Sequence, residues 1–309
     1  MTQASRGTLL SSRSALPLLL FSAWLLPGTG RSASLELEPF HVQAERVVFR
    51  LEHLERISRP GEPKPNTIRR SDGTAFVIQH QGHFYLVTAR HVADTGYDLQ
   101  ARVPSRHSQT GATDVVELHI PRGAWGFHEE GPELKIENGI AVRLHGVDVA
   151  VCPLPGIKDR TVVKFLSCTD CPSGEMNQLS TSDPVPPTAV LIAGFPGELG
   201  FAVLEQRPLF RAGIVALVPG SRVLSLDGGA YADDRCVVLD ARAEPGNSGS
   251  PVFTMSPFNG AISLAGVLIA SNIATNICVV EPASRVRETL DRAEQRSPEA
   301  TPTWHPIEP

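Results

Sequence analysis

An all-β fold closed by a single helix is the architecture this sequence predicts, and three observations carry it. Short apolar runs rich in β-branched residues recur along the chain, as strands buried on at least one face require. The 26 glycines and 26 prolines punctuate those runs at the density of many tight turns. Near the end, residues 284–295 place Val286, Leu290 and Ala293 at helical spacing, with Arg and Glu elsewhere.

In chain order, residues 47–51 (VVFRL) read as an opening strand, and 58–72, rich in Pro, Gly, Arg and Asn, as an exposed loop. Residues 74–79 and 83–88 form a hairpin across Gln81-Gly82. Residues 100–144 read as short strands and loops, with Trp125 and Phe127 as loop anchors. An apolar strand follows at 147–151, then a polar stretch at 167–187 that suits an inserted surface loop. The second half offers strands at 189–193, 213–218, 236–239, 251–253 and 264–270 before the helix. Beyond Pro298 the Pro-rich tail is expected to lack order.

Three segments carry chemistry. Residues 240–253, DARAEPGNSGSPVF, set Ser248 between Gly246 and Gly249, with Pro245 and Pro251 flanking the pentapeptide. Glycine lets the backbone fold sharply there, so two N–H donors can point to one place while the hydroxyl stays free. Acyl transfer needs that pairing of nucleophile and oxyanion site. A plain Gly/Pro/Ser loop between strands is the bland alternative. His91 follows the apolar run 84–87 after a short polar step, one of ten histidines, any of which could be a packed or surface residue. Asp148 interrupts an apolar strand, where a carboxylate must be paired, hydrogen-bonded or protonated unless it faces water at an edge. The order His, Asp, Ser is one of the known chain orders of a serine triad.

With those residues in view, the chain resembles the trypsin-like, chymotrypsin-fold serine peptidases, closest to the bacterial HtrA-type branch. The pattern T-x-x-H-V is matched by Thr88, His91 and Val92, and D-[LV]-A-V by residues 148–151. The serine motif is matched by Asp240, Ala241 and residues 245–251, and AGFPG (193–197) and GIV (213–215) resemble strand segments of the second barrel. The resemblance implies two packed six-stranded antiparallel β-barrels with a C-terminal helix. The first barrel would span about residues 45–155, the second about 160–283 and the helix 284–295, within a domain of 34–296 and before a disordered tail at 297–309. It also implies Ser248 as nucleophile, His91 as general base, Asp148 as its orienting carboxylate, and the N–H groups of Gly246 and Ser248 as oxyanion hole. No cofactor or metal is implied, and the substrates would be proteins or peptides.

Two departures matter. Asn247 stands where trypsins carry the aspartate that receives a newly cut chain start, so the site is expected to form without a zymogen cut. Arg242, six residues before Ser248, stands where trypsin-type pockets are acidic, which disfavours Lys and Arg substrates. Arg242, Ala243, Ala270 and Ser271 are the candidate pocket residues. The arginine could favour acidic side chains or extend to solvent, and the small neighbours also allow an aliphatic preference. HtrA enzymes usually append a PDZ domain, for which the residues after the helix leave no room. A dormant member of the fold, serving as a binding or scaffold protein, is the competing function. An α/β-hydrolase esterase fits poorly, because residue 250 is serine and that fold places its histidine after the nucleophile.

The net charge of −5, with no basic stripe, argues against nucleic acid as a partner. No segment after residue 35 reaches the roughly 18 apolar residues of a membrane span. The start of the chain reads as an export signal: Arg6 and Arg13, an apolar core at 15–26, breakers at Pro27, Gly28 and Gly30, and a cut after Ala33. An uncleaved anchor or a disordered extension is the alternative, and an exported, periplasmic or secreted protein is the expectation. Of five cysteines, Cys152 and Cys278 lie in apolar strands and are expected in the core. Cys168 and Cys171 form a C-x-x-C without the second ligand pair a metal needs, so a local disulfide or idle thiols are expected.

Overall fold

The computed structural model describes residues 44, 47–57, 66–106, 113–128, 133–137, 140–144, 146–154, 183–197, 207–218, 224–226, 229–231, 235–255, 262–296 and 298–306. The predicted leader, most of the polar insertion and the C-x-x-C lie outside these residues.

The opening strands are β1 (Val48–Ile57), β2 (Asn66–His80), β3 (His83–Ala89), β4 (Leu99–Arg106) and β5 (Thr113–Ile120), with the one-turn helix α1 (Arg90–Ala93) after β3. Then come β6 (Gly126–Phe127), β7 (Glu133–Glu137), β8 (Ile140–Leu144) and β9 (Val149–Pro153). The second half holds β10 (Ala189–Gly194), β11 (Leu209–Leu217), β12 (Leu224–Leu226), β13 (Gly229–Tyr231) and β14 (Val237–Asp240). It continues with β15 (Pro251–Met255), β16 (Ile262–Asn272), β17 (Ile277–Pro282), helix α2 (Ala283–Glu294) and β18 (Thr303–Pro306).

The second half closes as predicted: β10-β11-β14-β17-β16-β15 form a six-stranded antiparallel barrel around Val190, Ile192, Val215, Leu239, Leu268 and Val280. The first half is a half-barrel, an eight-stranded sheet in the order β18-β5-β4-β1-β2-β3-β9-β6. Its β2–β3 hairpin turns where the sequence places it, with Gln81 at φ 48° and Gly82 at φ 86°. Two successive positive φ values give the turn twist that matches a right-handed ribbon.

Three expectations are corrected. The loop expected over 58–72 is strand from Asn66 onward, because β2 pairs with β1 as far as Ile57↔Asn66. Backbone pairing there holds a ribbon that the polar side chains do not announce. Strands β4 and β5 are eight residues each, longer than the short pieces expected. The tail expected to lack order carries a strand among its described residues: Trp304 packs against the core of the first sheet, and β18 pairs with β5 from Thr303↔His119 to Pro306↔Val116. The half-buried indole and the buried Pro302 add apolar area to the backbone pairing that holds this Pro-rich segment.

Helix α2 buries Val286, Leu290 and Ala293, the face its spacing predicted. That face meets Val149 and Val151 of β9 as well as Phe253 and Val267 of the barrel, so the helix ties both halves. Burying Val286 and Leu290 is worth roughly 1.5–3 kcal/mol each. Cys152 and Cys278 are buried as expected, and burial pushes the Cys278 thiol up to about 12.

Candidate active site

Strand β3 runs into α1, and pairing of β3 with β9 at Thr88↔Ala150 and Ala89↔Val149 sets the residue before β9 beside the helix. That register brings His91 to Asp148. The Asp148 carboxylate is buried and grips the histidine twice: Oδ1 accepts the His91 backbone N–H at 2.9 Å, and Oδ2 lies 2.8 Å from Nδ1. Asp148 is itself fixed at both backbone ends. Its carbonyl accepts the Arg90 N–H at 3.1 Å, and its N–H donates to Glu281 Oε1 at 2.9 Å. Burial pulls the His91 imidazole down, but the charge and hydrogen bond of Asp148 together outweigh it and hold the pKa above its ordinary value. The outer edge of the ring stays open, the side chain being 47 % exposed.

Ser248 sits in the turn between β14 and β15. Gly246 (φ 94°) and Gly249 (φ 86°) both occupy the left-handed region that favours glycine. A Cβ on Gly249 would strike the Thr74 carbonyl and the Thr88 hydroxyl, and one on Gly246 would lie 2.6 Å from the Phe195 carbonyl. The amides of Asn247, Gly249 and Ser250 donate to Glu244 O, Leu268 O and Asn247 O at 3.1, 2.7 and 2.9 Å. Among the described residues no acceptor takes the N–H of Gly246 or of Ser248. No hydrogen bond among them joins the Ser248 hydroxyl to the imidazole either, a contact that commonly tightens only around substrate.

Thr74, fully buried in β2, clasps this turn to the first half of the molecule. Its N–H donates to Ser248 O at 2.8 Å, and its Oγ1 donates to Gly246 O at 2.9 Å while accepting the Phe195 N–H at 3.0 Å. Its carbonyl accepts the Thr88 hydroxyl at 2.7 Å, three residues from His91. The serine turn therefore rests on the strands that deliver the histidine. On its other side Glu244 holds Arg211 Nη2 through both carboxylate oxygens, at 2.8 and 2.6 Å, and Arg242 Nε at 3.2 Å.

The four candidate pocket residues divide. Arg242 faces solvent, its side chain 60 % exposed, and Ala243 is buried in the barrel core, while Ala270 and Ser271 are half-buried on β16. Asn247 is buried, its Oδ1 toward Gly194. A cavity of about 800 Å³ lies elsewhere, bordered by Arg90, Arg122, Trp125, His128, Arg296 and Glu299 among others, and none of His91, Asp148 and Ser248 lines it. His80, Asp291 and Glu294 bring ligand-type atoms within 4.8 Å of one another at the foot of α2, where His80 already meets Asp291 at 2.9 Å.

Thr74, Glu244, Glu281 and Arg285 were missed by sequence reasoning. A charged pair one helical turn apart at 281 and 285, inside apolar surroundings, was the available signal for two of them.

A closed barrel beside a half-barrel, with a carboxylate-held imidazole and a glycine-bounded serine turn where they meet, defines a protein of the chymotrypsin-like fold. The profile of the trypsin-like peptidase domain matches residues 73–256, more than half of the chain, and the chain belongs to that family. Among solved structures it is similar to the HtrA-type protease AlgW solved with a decapeptide, at 18% identity and a TM-score of 0.49, covering 82% of this chain and 65% of that one. It is also similar to Rv3671c from M. tuberculosis H37Rv, a serine-to-alanine mutant in an inactive form, at 14% identity and a TM-score of 0.46, covering 89% and 100%. The chain thus spans 65% of the length of the HtrA-type protease. No curated protein matches it. Peptidases of this family act on proteins or peptides, and no described helix is long and apolar enough to cross a membrane.

Proposed function

We propose that the chain is a serine endopeptidase. Ser248 attacks the scissile carbonyl, His91 takes its proton and returns it to the leaving amine, and Asp148 fixes the imidazole tautomer and stabilises the imidazolium. The N–H groups of Gly246 and Ser248 receive the oxyanion. The observation that carries this is the double grip of Asp148 on His91, beside a serine turn bonded to the strand system that ends at that histidine. Nothing in the roles requires a metal or cofactor. With Asn247 in place of an aspartate, the site forms without a new chain start. Arg242 is engaged by Glu244 and faces solvent, so small aliphatic side chains are the class we assign to the pocket bordered by Ala270 and Ser271. The protein works after export, with residues 1–33 removed as a signal peptide, in the periplasm or outside the cell, in the manner of the HtrA-type branch.

A peptide-library digest with the wild type and Ser248→Ala tests this. Cleavage at fixed sites that vanishes in the variant supports the assignment. A folded wild type that cuts nothing, and whose Ser248 resists a fluorophosphonate, returns the protein to the dormant scaffold, which the unformed bond between hydroxyl and imidazole favours.

A further inference from the structure

A buried ion pair stands directly behind Asp148. Glu281, at the end of β17, and Arg285, on the first turn of α2, are 2 % and 3 % exposed. Glu281 divides its two oxygens: Oε1 accepts the Asp148 N–H at 2.9 Å and Oε2 accepts Arg285 Nη1 at 2.8 Å. A buried pair of this kind contributes little net stability compared with apolar residues of the same volume. What it supplies is an anchored acceptor at the backbone of the residue that holds His91. The N–H of Asp148 would otherwise lose its bond inside the protein, and the peptide could rotate to find another. Rotation there would swing the carboxylate away from Nδ1.

We infer that Glu281 is a positioning residue for the His91–Asp148 pair and that Arg285 balances its buried charge, the two extending the site inward to a chain of four residues. The inference rests on the peptidase assignment for its kinetic consequence, but the geometry it asserts can be read without any hydrolysis. Burial pushes the Glu281 carboxyl up, while Arg285 and the Asp148 amide pull it back, and an acceptor oxygen remains in either protonation state. Among the described residues Asp148, ahead of β9, is the charged group that acts on the imidazole directly; Glu281 on β17 meets the Asp148 backbone, Arg285 on α2 meets Glu281, and the Arg90 guanidinium on α1 lies over the Phe127 ring 4.9 Å away.

Two double variants isolate the acceptor, because each removes both charges and leaves none buried alone. Glu281→Gln with Arg285→Met keeps a carbonyl oxygen for the Asp148 N–H, and Glu281→Met with Arg285→Met keeps the volume without it. The first should retain kcat within about threefold and leave the His91 imidazole titrating as in wild type. The second should lose on the order of 10–100-fold in kcat at unchanged KM, with the His91 pKa by NMR moved downward. Equal behaviour of the two variants in both kcat and the His91 titration overturns the inference. If no peptide is cut by the wild type, the peptidase assignment fails while the NMR titration still decides this one. If the second variant does not fold, hydrogen exchange at the Asp148 amide of the wild type decides instead: strong protection is expected, and exchange at the rate of an open loop refutes it.

Discussion

Replacing Thr74 by valine should loosen the serine turn without altering the volume of the core. Valine matches threonine in shape but has no hydroxyl, so two bonds, one buried and one part-buried, disappear together. The Phe195 N–H loses its acceptor at 3.0 Å and the Gly246 carbonyl its donor at 2.9 Å. The bond to Phe195 is buried, so water cannot replace that partner without opening the site, whereas Gly246 is half-buried. A buried polar group left unpaired costs about 1–3 kcal/mol, an amide N–H more than a carbonyl, so Thr74→Val should destabilise the fold by about 2–4 kcal/mol. Thr74→Ser is the control: it keeps the oxygen and loses one buried methyl, about 1 kcal/mol. Urea unfolding of the three proteins gives the stabilities, with equal slopes required for a fair comparison. Since the lost bond fixes Gly246, peptide hydrolysis by the valine variant should also fall, by on the order of 10² in kcat. A valine variant as stable and as active as the serine variant would refute the clasp.

Other perturbations have signs set by the same contacts. The raised pKa of His91 places the acid limb of kcat/KM above the ordinary imidazole value of 6.5; Asp148→Asn should move that limb down and lower kcat by about 10⁴-fold, and an unmoved limb speaks against the pair. By linkage the same pair stabilises the fold fully below 6.5 and loses that contribution as pH rises through the raised folded value, which thermal denaturation across pH would detect. Gly249→Ala would place a Cβ against Thr74 O and Thr88 Oγ1 at φ 86°. It should cost several kcal/mol, about 3 or more, and a wild-type Tm would contradict that. Trp304→Ala should free β18 and lower stability by about 1–3 kcal/mol, read as faster proteolysis of the last residues; unchanged cleavage would mean the indole is not the anchor.

Local chemistry made much of this molecule readable. The β2–β3 hairpin was visible because Gln81-Gly82 can take the positive φ values its turn needs, and the inner face of α2 because Val286, Leu290 and Ala293 repeat at helical spacing. Ser248 stood out through its glycines, and Asp148 through the cost of a carboxylate in an apolar strand. What misled was composition. Polar residues from Asn66 onward suggested a loop where β1 supplies a backbone partner, and the prolines after Pro298 hid an edge strand that pairs with β5. Thr74 gave no sign at all, since a threonine in a strand is ordinary and its three partners near the serine turn come from residues 195, 246 and 248.

By itself, then, the order of residues determined the all-β class, the hairpin, the closing helix and the three side chains proposed to carry chemistry, because each depends on neighbours within a few positions. Only the folded chain decided that β3 and β9 align to set Asp148 on His91, that Thr74 bonds the serine turn, and that Glu281 and Arg285 stand behind the aspartate. Those are bonds between segments far apart along the backbone, and they form only where strand register and barrel closure bring a donor within about 3 Å of its acceptor.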